Sequence, residues 1–244
     1  LGRDDPGAWN LRENVRGKLF SFGFSPLPAG QNGAYVENDK FFVRDGHHPT
    51  RLPVEDAIEL RGEHNRLNVL AACAIAHAAG FSPESMLAGV QGFRGVPHRL
   101  EFIRTWRTAQ WYNDSIATAP ERTIAAIKSF GGPLILLLGG RDKDLPWEDL
   151  AKLIHQRVDH VILFGDAAEK INAAIGPRIP GSKPYSLTRV EKCRDAVVAA
   201  SRLAQPGFVV LFSPGGTSFD EFKDFEERGE KFRQWVLELS ETLR

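Results

Sequence analysis

One stretch limits the choice of fold more than any other. Pro133-Leu134-Ile135-Leu136-Leu137-Leu138 is an uninterrupted apolar run, stopped by Gly139-Gly140. A short apolar run bounded by turn residues reads as a strand buried on both faces, and such strands belong to parallel sheets covered by helices above and below. The surrounding chain has the spacing this requires. Strand-like segments occur at 99–106, 109–113, 160–164 and 208–212, with a further short one near Tyr185. Helical patterns lie between them at 118–130, 147–158, 167–175 and 191–203. A last helix is expected over 220–242, with Phe225, Phe232, Trp235, Val236 and Leu239 on one stripe. The expectation is an α/β fold whose residues 96–244 form a Rossmann-like domain with a mostly parallel sheet.

Residues 1–95 read differently. The segment 18–24 alternates around Leu19, Phe20 and Phe22, and Asn38-Asp39 between two short apolar segments is a hairpin signal. Arg44-Asp45-Gly46 adds a second turn. From His64 the pattern turns helical, with Leu67, Leu70, Cys73, Ala74 and Ala78 at three- and four-residue spacing until Gly80. Ser82-Pro83-Glu84 opens another short helix, reaching about Gln91. Regularity is lost over 92–99, and a boundary near residue 95 separates this small β and helical region from the alternating strands and helices of the Rossmann-like domain.

In open α/β sheets, ligands gather beyond the carboxyl ends of the strands. Three such ends carry polar residues. Asn113-Asp114-Ser115 follows a strand and leads to Thr118, the expected N-cap of the next helix, with Pro120 in its first turn. Asp114 is placed to meet a metal, a nucleotide or a cationic group, or else simply closes a turn. Gly139-Gly140-Arg141-Asp142-Lys143 offers Lys143 to an anion, unless that side chain is merely solvated. Ser213-Pro214-Gly215-Gly216-Thr217-Ser218 brings hydroxyls and backbone N–H groups to the start of the last helix, a natural anion site. Two further clusters lie nearer the boundary. Asn65 and Asn68 are one helical turn apart, so their carboxamides share a face and suit a nucleobase edge or a helix cap. Arg99 can clamp a phosphate or pair with Glu101.

Charge and composition restrict what these groups could bind. With 31 basic and 31 acidic residues the net charge is zero, so no field predisposes the chain to nucleic acid or an acidic membrane surface. Two distant cysteines, Cys73 and Cys193, have no metal-ligand spacing and suit a reducing, cytoplasmic setting. No zinc pattern, Gly-x-Ser-x-Gly elbow or Gly-x-Gly-x-x-Gly is present, and neither is a Gly-x-x-x-x-Gly-Lys-Ser/Thr phosphate loop. A nucleotide bound here needs its phosphate cradle from elsewhere. The opening Leu1 with Arg3-Asp4-Asp5 reads as a start taken partway through a fold.

The motifs occur in a familiar order. Gly62-Glu63-His64-Asn65 with Asn68, Gly95 with Pro97-His98-Arg99-Leu100-Glu101, and Asn113-Asp114-Ser115 with Ala117-Thr118 and Pro120 resemble the Mur ligases. Leu138-Gly139-Gly140 with Asp142-Lys143 extends the match. Ser213-Pro214 with Ser218-Phe219-Asp220-Phe222-Phe225-Arg228-Gly229-Phe232 narrows it to the branch that adds D-glutamate.

That resemblance implies that residues 1–95 are the latter part of a central ATP-binding domain and 96–244 the C-terminal, amino-acid-binding domain. It implies ATP and Mg2+ as cofactors, with most metal ligands, the phosphate loop and a modified lysine lying upstream; no metal ligand is assigned within this chain. The substrates would be UDP-N-acetylmuramoyl-L-alanine, glutamate and ATP, joined through an acyl phosphate by a monomeric enzyme of peptidoglycan synthesis. Asn65 and Asn68 would face adenine, Arg99 and Asp114 the ATP phosphates and ribose, and Thr118, Lys143, Ser218 and Phe225 the incoming amino acid. Ile116 departs from the pattern, standing where a lysine is expected. L-glutamate instead of D-glutamate, or a ligand-binding module without activity, are the other readings. These 244 residues alone are expected to be inactive.

Overall fold

A computed structural model describes residues 1–46, 48–60 and 62–240. It divides into two compact units, Leu1–Arg94 and Gly95–Arg244.

In the first unit, Asp5 caps a single helical turn, α1 (Pro6–Trp9), which runs into a 3-10 turn over Asn10–Asn14. Neither was anticipated, since one turn carries no periodicity. Four strands follow in spatial order: β1 (Phe20–Gly23), β2 (Asn32–Glu37), β3 (Lys40–Asp45) and β4 (His48–Leu52). The β2–β3 hairpin closes on Asn38 and Asp39, both at positive φ, as its turn requires. β1 and β2 are parallel and approach closely at Gly33, where a Cβ would lie 2.0 Å from the Ser21 carbonyl oxygen. Leu1 to Arg3 run beside β1, exchanging backbone hydrogen bonds with Phe22. The long helix α2 (Glu63–Ala78) buries Val69, Leu70, Cys73 and Ala74 against Ala34, Phe41, Val43 and Leu52. The short α3 (Pro83–Val90) adds Met86 and is capped by Ser82.

The second unit is a six-stranded sheet in the order β5-β6-β10-β7-β8-β9. Its strands are β5 (Glu101–Trp106), β6 (Ala109–Asn113), β7 (Leu134–Gly139), β8 (His160–Phe164), β9 (Ser186–Arg189) and β10 (Val209–Gly215). Only the β5–β6 pair is antiparallel; every other neighbour is parallel. All six residues of β7 are buried, as its unbroken apolar character requires. Their side chains alternate between the faces. Leu134, Leu136 and Leu138 join one core with α4 (Pro120–Lys128), α5 (Glu148–Arg157) and α6 (Ala168–Ile175). Ile135 and Leu137 join the other, beneath α7 (Cys193–Leu203) and α8 (Phe225–Glu238).

Three helix starts differ by two residues or more from the sequence expectation. Thr118 does not cap α4; Ala119 holds the N-cap position with no side-chain hydrogen bond, and Pro120 supplies the preset φ of the first turn. α7 begins at Cys193, because the Glu221 carboxylate takes the Cys193 N–H. α8 begins at Phe225 rather than Asp220. Asp224 caps it through the Glu227 N–H at 2.7 Å, so 216–224 is loop; Thr242, the expected end of this helix, lies outside the described residues. No helix among the described residues is long and apolar enough to cross a membrane.

Candidate functional site

The carboxyl ends of β6, β10 and β7 are adjacent in the sheet and are tied to one another through their loops. Gly215 donates its N–H to Ala117 O (2.8 Å), joining the β10 end to the β6 loop. Arg141 and Thr217 exchange two backbone hydrogen bonds of 2.8 Å, joining the β7 and β10 loops. That approach needs Gly140, at φ +94, where a Cβ would fall 2.1 Å from Thr217 O.

Asp114 leaves β6 into this edge and is only 5% exposed. Its Oδ1 accepts the Leu100 N–H (3.2 Å) and its Oδ2 the Ser213 hydroxyl (2.7 Å). Burial pushes its carboxyl up to about 6, against the opposing pull of these hydrogen bonds and of the Arg99 and Arg122 charges. Each oxygen keeps a further acceptor position, so a ligand hydroxyl could still be met.

The neighbouring polar residues form a buried network. Asn113 Oδ1 accepts the Ser115 N–H, which turns its Nδ2 toward Glu101 Oε2 (3.2 Å), Gly229 O (3.2 Å) and His98 Nδ1 (3.0 Å). Glu101 pairs with Arg233 at 2.6 Å, not with Arg99 across the turn. Arg228 is fully buried and spans three segments. Its Nε and Nη2 donate to Ser115 Oγ (3.0 Å) and Ser115 O (2.8 Å), and its Nη1 donates to Gly216 O (3.0 Å). The Ser115 hydroxyl in turn donates to Phe225 O at 2.8 Å. Burial lowers the Arg228 guanidinium to about 10, so it stays charged. The signal for it was available: Arg228 falls at helical spacing between Phe225 and Phe232, a charged residue on an otherwise apolar stripe.

The residues singled out from sequence fall into two groups. Asp114, Thr118, Lys143, Ser218 and Phe225 all lie on the loops joined at this edge or at the start of α8. Ser218 is buried beside the Arg141–Thr217 bridge, but its place is a loop and not a helix N-terminus. Thr118, Phe225 and Ile116 are half-buried, and Ile116 donates its N–H to His98 O (3.1 Å). Lys143 and Arg99 are exposed. Lys143 has no hydrogen bond or ion pair among the described residues.

Asn65 and Asn68 belong to the first unit, on α2. Asn68 Nδ2 donates to Asn65 Oδ1 at 3.3 Å, so the two carboxamides do share a face. Asn68 also lines a cavity of about 220 Å³ with Ile58, Leu60, Val69, Ala72 and Phe93. Apolar walls and one carboxamide suit a flat heteroaromatic ring such as adenine. No group of three or more His, Cys, Asp or Glu residues among the described residues could hold a metal ion.

Residues 98–216 match the family model described as "Mur ligase, glutamate ligase domain". The UDP-N-acetylmuramoylalanine--D-glutamate ligase of Syntrophus aciditrophicus is 38% identical over 236 residues, covering 97% of this chain and 50% of the relative. That of Thermosynechococcus vestitus is 40% identical over 251 residues, covering 98% and 52%. The chain spans about half the length of the curated relatives it matches. Among solved structures, MurF ligase from Thermotoga maritima in complex with ADP superposes with a TM-score of 0.60 at 16% identity, covering 96% of this chain and 52% of that one. A Mycobacterium tuberculosis folylpolyglutamate synthase gives 0.57 at 17% identity, covering 86% and 48%. With a mostly parallel sheet and these relatives, the chain carries the C-terminal domain of the Mur ligase family.

Proposed function

We propose that this chain is the glutamate-accepting part of an ATP-dependent ligase that adds D-glutamate to UDP-N-acetylmuramoyl-L-alanine. The observation that carries this reading is the joined carboxyl edge of β6, β10 and β7, which brings an exposed, uncommitted Lys143 cation and the buried Ser218 onto loops tied to each other by backbone hydrogen bonds. Residues 1–95 would then be the latter part of the central ATP-binding domain, and 96–244 the amino-acid-binding domain.

ATP supplies the phosphoryl group that activates the carboxylate as an acyl phosphate, and the glutamate amine then displaces phosphate. The residues of this chain position the reactants. The Asn68 cavity takes adenine, with Asn65 setting the carboxamide's direction. Asp114 accepts from a ribose hydroxyl, and Arg99 meets the phosphates. Lys143 and Ser218 hold glutamate carboxylates, with Thr118 donating a further hydrogen bond and Phe225 bounding the apolar stem. Phosphoryl transfer relies on charge stabilisation around the γ-phosphate. With no phosphate loop in its sequence, this chain by itself should not turn over.

The reading is tested in the complete ligase containing this chain by ATP- and UDP-N-acetylmuramoyl-L-alanine-dependent phosphate release with D- or L-glutamate. Dependence on D-glutamate is expected; preference for L-glutamate overturns the choice of amino acid. Ile116 is the position where that choice is most exposed. Placing an ammonium there through Ile116→Lys adds one charge-assisted hydrogen bond, and should lower the KM for glutamate by about tenfold. An unchanged KM would remove Ile116 from the site.

A further inference from the structure

The β7 loop alternates in charge through Arg141, Asp142, Lys143 and Asp144, so two carboxylates flank the one lysine proposed for substrate. Left alone, either could pair with Lys143 or weaken its attraction for an anion. The structure directs both elsewhere. Lys170, on α6, makes ion pairs with Asp142 and, at 3.2 Å, with Asp144. The Asp142 side chain is held again by the Trp147 indole N–H (3.0 Å) and by the Asp144 N–H (3.0 Å). Burial pushes the Asp142 carboxyl upward, but these donors outweigh it and keep the group ionised at neutral pH. Asp144, whose side chain is 99% exposed, has Lys170 as its ion-pair partner. Arg141 is matched in the same way by Asp166 at 3.5 Å.

We infer that Lys170 is a positioning residue for the glutamate site: it neutralises and holds the two carboxylates flanking Lys143, leaving that ammonium free for a substrate carboxylate. This rests on the proposed role of Lys143. The six charged groups Arg141, Asp142, Lys143, Asp144, Asp166 and Lys170 sum to zero; without Lys170 the cluster carries one net negative charge around a site meant for an anion. Asp144, which then loses its partner, becomes the direct competitor for Lys143.

The test uses steady-state kinetics of the complete ligase containing this chain. Lys143→Met should raise the KM for glutamate by more than about tenfold, as loss of a charge-assisted contact does. Lys170→Met should raise the glutamate KM by about three- to tenfold, leaving kcat and the KM for ATP within about twofold, and the defect should shrink as salt screens the freed carboxylate. Lys170→Arg should resemble the parent. The decisive arm is Lys170→Met combined with Asp144→Asn, which removes the competing charge and should restore the glutamate KM. If Lys143→Met leaves the glutamate KM unchanged, the reading of the substrate site itself fails. If Lys143→Met is impaired while Lys170→Met matches the parent, the inference about Lys170 fails and the site reading stands. A Lys170→Met variant that loses kcat and both KM values together, without recovery by Asp144→Asn, has only a structural defect and likewise overturns the inference.

Discussion

Two of the strand ends at this site are held by opposite means. Beyond β6, the polar groups are buried: Asn113, Ser115 and Arg228 are fully enclosed, and all three hydrogen bonds of Arg228 are made away from water. Beyond β7, Asp144 and Lys170 lie exposed, Asp142 is half-buried, and the three are joined by ion pairs. A buried polar group left unpaired costs the full desolvation of that group, whereas a surface pair exchanges protein contacts for water at little net change. The β6 network is therefore expected to govern stability, and the β7 cluster to govern the local field while contributing little to stability. Unfolding of the 244-residue chain can break that contrast or sharpen it.

The largest effect is expected from Arg228→Met, which leaves the carbonyls of Ser115 and Gly216 and the Ser115 hydroxyl without their donor. Loss of about 3–5 kcal/mol in urea denaturation is expected, as for the breaking of a buried charged contact. A loss no larger than that of a surface substitution would show the network to be dispensable.

Asp114 comes next, through pH. Its carboxyl lies at about 6 in the folded chain and near the usual ~3.9 when unfolded, so between those values the folded state binds more protons. Stability from this group is accordingly greatest below about pH 4, falls by about 3 kcal/mol as pH rises to about 6, and is level beyond. Asp114→Asn should abolish that fall and make the chain more stable than the parent at pH 7. An unchanged pH profile in the variant would assign the dependence to another group. A buried carboxylate kept at such a cost is what a ligand-binding position looks like.

A smaller loss is expected from Gly229→Ala. A Cβ there would lie 2.2 Å from His98 Nδ1, and the His98 ring is buried against Asn113 with little room to yield. Helix propensity favours alanine by about 1 kcal/mol, and overpacking opposes it by about 1–3 kcal/mol, leaving a net loss of about 1 kcal/mol in the melt. Stabilisation would mean the ring moves aside. Lys170→Met should leave the midpoint unchanged within the precision of the melt, while altering the salt dependence of glutamate binding in the complete ligase. A cooperative loss of stability on that substitution would erase the distinction between the two strand ends.

Much of this architecture could be read along the chain because it is local. The apolar run of β7 reflects burial between two cores and the three- and four-residue spacing of α2 reflects contact with one, and each appears in the structure. Candidate polar positions were legible for the same reason, since they stand where regular elements stop. The helix starts were less so. Thr118 looks like an N-cap by composition, but Pro120 and the β6–β10 connection fix the backbone so that Ala119 occupies that place.

By itself, the amino-acid sequence determined that strands and helices alternate, that β7 lies within a sheet covered on both faces, and that polar residues collect at strand ends. Only the tertiary structure decided that the last strand, β10, inserts between β6 and β7, which brings Ser213 to Asp114 and Thr217 to Arg141. Tertiary structure alone also buried Arg228 beneath three segments and gave Asp142 and Asp144 to Lys170 rather than Lys143. The physical reason is one of range. Periodicity records which side of an element faces a core, whereas strand order and the partner of a charge depend on residues tens of positions apart, whose meeting no local pattern encodes.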